Sequence, residues 1–377
     1  MIYLDNAAAT PVSKKVIEAM MPYYSELFHN PSAHYSAARN VKVALEDARE
    51  DIARQIGARP SEIIFTAGGT ESANLAIKGI MDTYPEANCV VSAIEHDAVA
   101  KSAQHYECKI APVDNVGCVD KNSLRELIDD NTVLVSVMLA NNEIGTVQHI
   151  KDIVAIADEV RTNRRKNKND TPLYVHTDAC QAPLYLDCHV ARSGVDMMTL
   201  NGGKIHGPKQ SGILYKKSHV ELKAIINGGG QEYGYRNGTE NVAQAVGFAK
   251  ALALSAENKP DRVKRVSQLR DYFIEQLESR FDAVLSGHRQ KRLANNVHVS
   301  FPGADNERVL FSLDDSDIAA AAGSACQASN DEASHVLMAI GKSNDYANSS
   351  IRFSLGKDTT IQDIDDTLQA LEASLKA

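Results

Sequence analysis

Between residues 60 and 215 short apolar runs alternate with amphipathic stretches, and this alternation limits what the chain can fold into more than any other feature. Ile63–Thr66, Cys89–Ala93, Leu134–Ala140, Leu173–His176, Met197–Leu200 and Gly212–Tyr215 read as strands, and Gly68–Ile80, His96–Tyr106 and Ile150–Arg161 as helices. Alternation of this kind builds a mostly parallel sheet covered by helices. Ligands of such sheets bind outside the carboxyl ends of the strands. Residues placed directly after each run are therefore the first candidates for chemistry.

Beyond residue 240 the pattern changes. Ala245–Ala256 reads as an alanine-rich helix broken at Asn258–Asp261, where Pro260 is suited to open the next helix, Asp261–Phe281. Asn296–Phe301 and Ser350–Ser354 read as strands, Ile318–Ala322 as extended, and Glu307–Leu313, Glu332–Ile340 and Ile361–Leu375 as helices. The break near Asn258 divides the 377 residues into a large unit, 13–258, and a smaller one made of 1–12 and 259–377. The basic run 161–170 (RTNRRKNKND) reads as a solvated helix end and loop, because Asn and Asp punctuate it. Met20, Met21, Tyr23 and Tyr24 read as core.

The formal charge of −9 argues against direct nucleic-acid binding, which needs a basic face. Val133–Ala140, the longest clearly apolar run, is too short to cross a bilayer, so no membrane partner is expected. Asp5 comes before any long apolar run, so no secretory leader is expected and a cytoplasmic location is. Cysteines 89, 108, 118, 180, 188 and 326 follow no metal-ligand spacing and are too sparse for a disulfide framework. No metal site is expected, and most of these thiols read as small buried hydrophobes.

Two segments carry the chemistry. His176-Thr177-Asp178-Ala179-Cys180-Gln181 puts an acid at the end of a buried run, and Asn201-Gly202-Gly203-Lys204 follows the run Met197–Leu200. Alone, Asp178 is a common helix cap and Lys204 a common loop charge. An aspartate and a lysine at strand ends of one sheet are, together, what pyridoxal phosphate (PLP) needs. The lysine forms a Schiff base with the aldehyde, and the carboxylate keeps the pyridine nitrogen protonated. The phosphate needs N–H donors at a helix start, which Gly68-Gly69-Thr70-Glu71-Ser72 offers, and the ring needs a flat partner, which His96 offers.

Taken in order, Tyr3–Ala8 (YLDNAA), Phe65–Gly79, Glu95-His96, Asn141–Thr146 (NNEIGT), His176–Gln181, Gly228–Thr239, Gly323–Cys326 (GSAC) and Ser349–Gly356 resemble the cysteine desulfurases. These are PLP enzymes of fold type I, and the likeness is to their group I branch, of nitrogen-fixation and iron–sulfur-assembly type. The resemblance implies an α/β fold with a mostly parallel seven-stranded sheet flanked by helices in the large domain and a smaller α+β C-terminal domain. It implies that Lys204 is the Schiff-base lysine, Asp178 the pyridinium partner and Gln181 a ligand of the phenolic oxygen. His96 would be the stacking imidazole and a further catalytic group, and Gly69, Thr70 and Asn201 would lie at the phosphate. Thr239 would reach the phosphate of a neighbouring subunit, implying a homodimer, and Asn142 with Arg352 would hold the substrate carboxylate. The arginine suits that role, since guanidinium clamps a carboxylate through two N–H groups.

Cys326 lies among small polar residues, a setting that gives a nucleophilic thiol access. The resemblance implies that it takes sulfur from L-cysteine as a persulfide, leaves L-alanine, and passes the sulfur to an acceptor protein, either an iron–sulfur scaffold or a tRNA-thiolation enzyme. Cys180 reads as packing beneath the cofactor. Two features depart from the family pattern. Asn201 and Gly203 stand where the family commonly has Ser and His, so phosphate holding is expected to be weaker or compensated, with the Asn201 amide still able to donate. The chain also stops soon after its closing helix, which puts scaffold docking in question. Two other readings stay open at this point: a selenocysteine lyase, and a non-catalytic sulfur-transfer partner with a weakened PLP site.

Overall fold

The computed structural model describes residues 1–323 and 333–376. Its centre is a seven-stranded sheet. The strands are β2 (Ile63–Thr66), β3 (Asn88–Ser92), β4 (Cys108–Ala111), β5 (Thr132–Ser136), β6 (Tyr174–Asp178), β7 (Met197–Asn201) and β8 (Gly212–Lys216), in the order β2-β8-β7-β6-β5-β3-β4. All pairings are parallel except those of β8, which runs against both β2 and β7. The expected mostly parallel sheet is thus present.

Side chains alternate across a strand, and here the alternation sorts them into two helical layers. Ile64, Cys89, Val91, Leu134, Tyr174, Met197 and Leu214 pack with the helix Gly69–Thr83 and the helix Asp97–Ala103. Their neighbours Ile63, Val90, Val135, Val175, Met198 and Ile213 pack in the opposite, larger cluster. That cluster takes apolar residues from the helices Ser36–Ile56, Ile150–Lys166, Val242–Ala256 and Lys259–Phe281.

The remaining strands form two small sheets. β1 (Ile2–Tyr3) pairs in parallel with β11 (Ile318–Ala319), and β10 (Asn296–Ser300) lies between β9 (Val284–Leu285) and β12 (Ser350–Ser354). A bridge from Asp5 to Ser354 ties the N-terminal segment to β12.

The structure departs from the sequence reading in a few places. β4 carries exposed and half-buried residues at a sheet edge, which removes the apolar signal that would mark it. The helix from Ile150 continues to Lys166 because its basic end is not simply solvated. Arg164 is buried and donates to the carbonyls of Asp129, Thr132, Thr171 and Pro172, and Arg161 pairs with Asp158 and Asp196. Met20 is buried as expected, whereas Met21 and Tyr24 are exposed, with Ile17 and Phe28 beside them in the sequence. Among the described residues no helix is long and apolar enough to cross a membrane.

Candidate active site

β2 and β7 both oppose β8, and β3, β4, β5, β6 and β7 are mutually parallel, so six strands end at one edge of the sheet. A cavity of about 220 Å³ opens there. It is lined by Gly69 and Thr70 after β2, His96 after β3, Asn142 after β5, Asp178 and Gln181 at the end of β6, and Asn201 and Lys204 at the end of β7. Arg352 reaches it from the middle of β12.

Each residue is set by local geometry. Gly68 has φ 131° and ψ −176°, a conformation essentially restricted to glycine, and it turns β2 into the helix Gly69–Thr83. The first N–H groups of that helix lack intrahelical acceptors and face the cavity end. A Cβ at Gly69 would stand 2.8 Å from Cys180 Sγ and 3.4 Å from Asn201 Nδ2, so the helix start closes tightly on both residues. Cys180 therefore packs at the cavity floor, where burial, with Asp178 adding, pushes its thiol well above the ordinary range. A protonated thiol there is a packing group, not a nucleophile.

His96 caps the helix Asp97–Ala103, and its Nδ1 accepts from the Ala98 N–H at 3.0 Å. With Nδ1 an acceptor, the neutral ring carries its proton on Nε2. Asp178 is nearly buried, and its Oδ1 accepts from the Cys180 N–H at 2.9 Å. Beneath it His176 bridges Ser136 and Thr199, and burial holds its imidazole down to about 4, so it stays neutral. Asn201 Oδ1 accepts from the Gly203 N–H at 3.0 Å, leaving the amide NH₂ turned toward the start of the Gly69–Thr83 helix. A Cβ at Gly203 would meet nothing closer than 3.5 Å, so no steric demand keeps that position bare.

Lys204 Nζ donates to the carbonyls of Ala7 at 2.9 Å and Ala8 at 2.5 Å, and Gln181 Nε2 also donates to Ala7 O. Arg352 donates through Nη1 to the Asn142 carbonyl at 3.1 Å and through Nη2 to Asp5 Oδ1 at 2.6 Å. Asn142 thus meets the arginine through its backbone, while its side chain is left for the cavity.

One expected residue lies elsewhere. Thr239 lines a separate cavity of about 240 Å³ with Thr66, Ala67, Arg236 and Gln244. Cys326 lies outside the described residues. The described residues on either side of its segment both come to Glu143: Ser334 Oγ donates to Glu143 Oε2 at 2.5 Å, and a Cβ at Gly323 would stand 3.6 Å from the same oxygen.

The sequence motifs alone assign no role to Asp5 or Glu95, although both stand within them. Glu95 is 1% exposed, its Oε1 accepts from the Met138 N–H at 2.7 Å, and its Oε2 has no partner among the described residues. Burial, with Asp178 adding and the Met138 N–H opposing, pushes its carboxyl up to about 8. An acid directly before His96 is the only signal in the sequence, and its burial is a tertiary property.

Known proteins share this plan. The chain matches the aminotransferase class-V family over residues 2–367. The cysteine desulfurase IscS of Dictyoglomus turgidum is 41% identical over 380 residues, spanning 98% of this chain and 93% of the relative. A solved NifS-like protein superposes with a TM-score of 0.90 at 32% identity, covering 100% of this chain and 99% of the other. SspA, solved in complex with cysteine, gives a TM-score of 0.81 at 33% identity, covering 96% of this chain and 100% of the other. The chain belongs to the aminotransferase class-V family, among its cysteine desulfurases.

Enzymes of this family depend on PLP. The cavity fits that group on its own chemistry. It offers a primary amine for an aldehyde, a nearly buried carboxylate for a pyridine nitrogen, an imidazole for a ring face, and a helix start with an amide NH₂ for a phosphate.

Proposed function

We propose that this chain is an L-cysteine desulfurase that converts L-cysteine to L-alanine and holds the sulfur as a persulfide on Cys326. One observation carries the reading: Lys204, Asp178, His96 and Arg352, from four different strands or their ends, line a single cavity. In this reading Asp178 holds the pyridine nitrogen of PLP, Gln181 its phenolic oxygen, His96 its ring face, and Gly69, Thr70 and Asn201 its phosphate. Bound there, PLP supplies the electron sink that makes loss of the substrate Cα proton feasible near neutral pH.

The chain's own groups do the rest. Arg352 and Asn142 orient the substrate carboxylate, the arginine through its planar fork of donors. Lys204 Nζ moves the Cα proton, and His96 holds a proton on Nε2 for transfer. The Cys326 thiolate attacks the substrate sulfur. The substrate Cβ–Sγ bond breaks, an S–S bond forms on Cys326, and the carbon skeleton leaves as alanine. Glu143, next to Asn142 in the chain, accepts from Ser334 and lies near Gly323, and this nearness of the described residues flanking the Cys326 segment to Asn142 supports Cys326 as the nucleophile.

Thr239, in its separate cavity, acts on a second subunit's phosphate in a homodimer. Exposed Ile17, Met21, Tyr24 and Phe28 supply an apolar surface for a second copy. The division into residues 13–258 and a smaller unit of 1–12 with 259–377 belongs to the same reading, as do a cytoplasmic location and transfer of sulfur to a scaffold or tRNA-thiolation protein.

The test is alanine release from L-cysteine with PLP and a thiol reductant, beside Cys326→Ala. Alanine formed by the parent and lost in a variant that still binds PLP is the expected result. Full desulfuration by Cys326→Ala overturns the assignment of the nucleophile. A parent that binds PLP and releases no alanine overturns the substrate.

A further inference from the structure

The N-terminal segment does more than close a small sheet. Leu4 donates to Ala319 O at 2.9 Å, Ser354 donates back to Leu4 O at 2.6 Å, and Asn6 Nδ2 donates to Ser354 O at 3.0 Å. Tyr3 OH and the Ala8 N–H both donate to the Asp5 carbonyl. The backbone of Asp5 is therefore fixed by bonds that do not involve its side chain. Its carboxylate, 19% exposed, projects from this rigid piece onto the Arg352 guanidinium, which is 1% exposed.

Arg352 has little else to hold it. Nη1 meets a neutral carbonyl, and Nε has no hydrogen-bond partner among the described residues. Its cross-strand neighbour His298 is fully buried, and burial together with the Arg352 charge holds that imidazole down to about 3, so it brings no counter-charge. Among the described residues Asp5 is the one carboxylate within ion-pair distance of Arg352. A buried guanidinium without a counter-ion is strongly disfavoured and would leave its place.

We propose, building on the desulfurase reading, that Asp5 is the positioning residue of the substrate-carboxylate clamp, fixing Arg352 so that its remaining donors face the cavity. The same short segment holds Lys204 Nζ through the Ala7 and Ala8 carbonyls. It thereby sets the spacing between the group that binds the substrate carboxylate and the group that works on Cα. Asp5 touches no reacting atom and acts through the arginine. The arginine's rotamer freedom is lost on folding rather than on substrate binding, which favours binding in one orientation.

The experiment uses the PLP-loaded enzyme and its Asp5→Asn and Asp5→Ala variants. Three quantities are read: kcat and KM for L-cysteine, PLP occupancy with melting temperature, and cofactor absorbance titrated with L-alanine and with L-alaninamide, which lacks the carboxylate. The expected result is KM raised about tenfold in Asp5→Asn and more in Asp5→Ala, with kcat within about threefold. L-alanine affinity should fall in parallel, while alaninamide affinity and PLP occupancy stay near parental values and the variants, still folded, melt a few degrees lower. An unchanged or lowered KM in both variants, with a normal parent, overturns this proposal alone, as does equal weakening toward alanine and alaninamide. Loss of PLP or of folding in Asp5→Asn makes the residue structural and also overturns it. A parent that responds to neither cysteine nor alanine overturns the desulfurase reading and this proposal together.

Discussion

The cavity has two halves built by different rules. On the sheet side, Gly69, His96, Asp178, Asn201 and Lys204 each sit at or within a few residues of the carboxyl end of a strand, and each is set by a local turn or cap. On the other side, Arg352 stands in the middle of a strand of a different sheet and meets an acid 347 residues away in the chain. The sheet half places groups by where a strand stops. The other half places them by which distant segments happen to pair.

The comparison is sharpened first by Lys204→Ala, the largest effect. Alanine formation should fall by about 10³ or more, and borohydride should no longer fix the cofactor to the protein. Residual turnover near the parental rate would break the idea that the sheet half holds the essential amine.

Glu95→Gln comes next and tests stability rather than turnover. An unfolded glutamate releases its proton near 4.5, whereas the folded one keeps it until about 8. Between these values the native state binds the extra proton, so parental stability should drop as pH rises through the window and level off above it. The amide cannot titrate, so the variant should lose this slope, a difference of up to roughly 5 kcal/mol across the window. Denaturant titrations at pH 5 and pH 8.5 read it directly, and parallel slopes in parent and variant would show that Glu95 is ionised in the fold.

Arg352→Lys probes the other half. Lysine keeps the charge and loses the planar fork, so KM for L-cysteine should rise by about 30-fold, roughly 2 kcal/mol, with a smaller change in kcat. An equal loss in both constants would place the arginine in the transition state rather than in binding.

The smallest effect is a gain. Gly203→His has room, since nothing lies within 3.5 Å of a Cβ there, and it adds a donor beside Asn201. PLP should bind about fivefold tighter, roughly 1 kcal/mol, as read by absorbance titration of the apoenzyme. No change would mean that Asn201 and the helix start already satisfy the phosphate.

Much of the sheet half is legible in the amino-acid sequence. The parallel strands announce themselves as apolar runs because both of their faces are buried, and the residues after them are the site residues. β4 carries no such signal, because it is an edge strand with half-exposed residues. Arg164 is hidden for a related reason: a basic residue in a basic run looks solvated, and only the four carbonyls converging on it, two of them from the distant Asp129 and Thr132, show otherwise. Asn201 and Gly203 stand out as departures in the sequence, but that the amide turns toward the helix start is a matter of one backbone N–H at Gly203.

What the sequence determined by itself is the α/β class, the strand ends, and the chemical types waiting at them. Those follow from periodicity and turn chemistry, which act over a few residues. Resemblance to a known family pointed to Arg352, but only the tertiary structure decided that Asp5 holds it, that Glu95 is buried with one oxygen unpaired, and that Cys180 fills the space a side chain at residue 69 would need. The reason is physical. Charge pairing and burial depend on which distant segments pack together, and no local pattern encodes that distance.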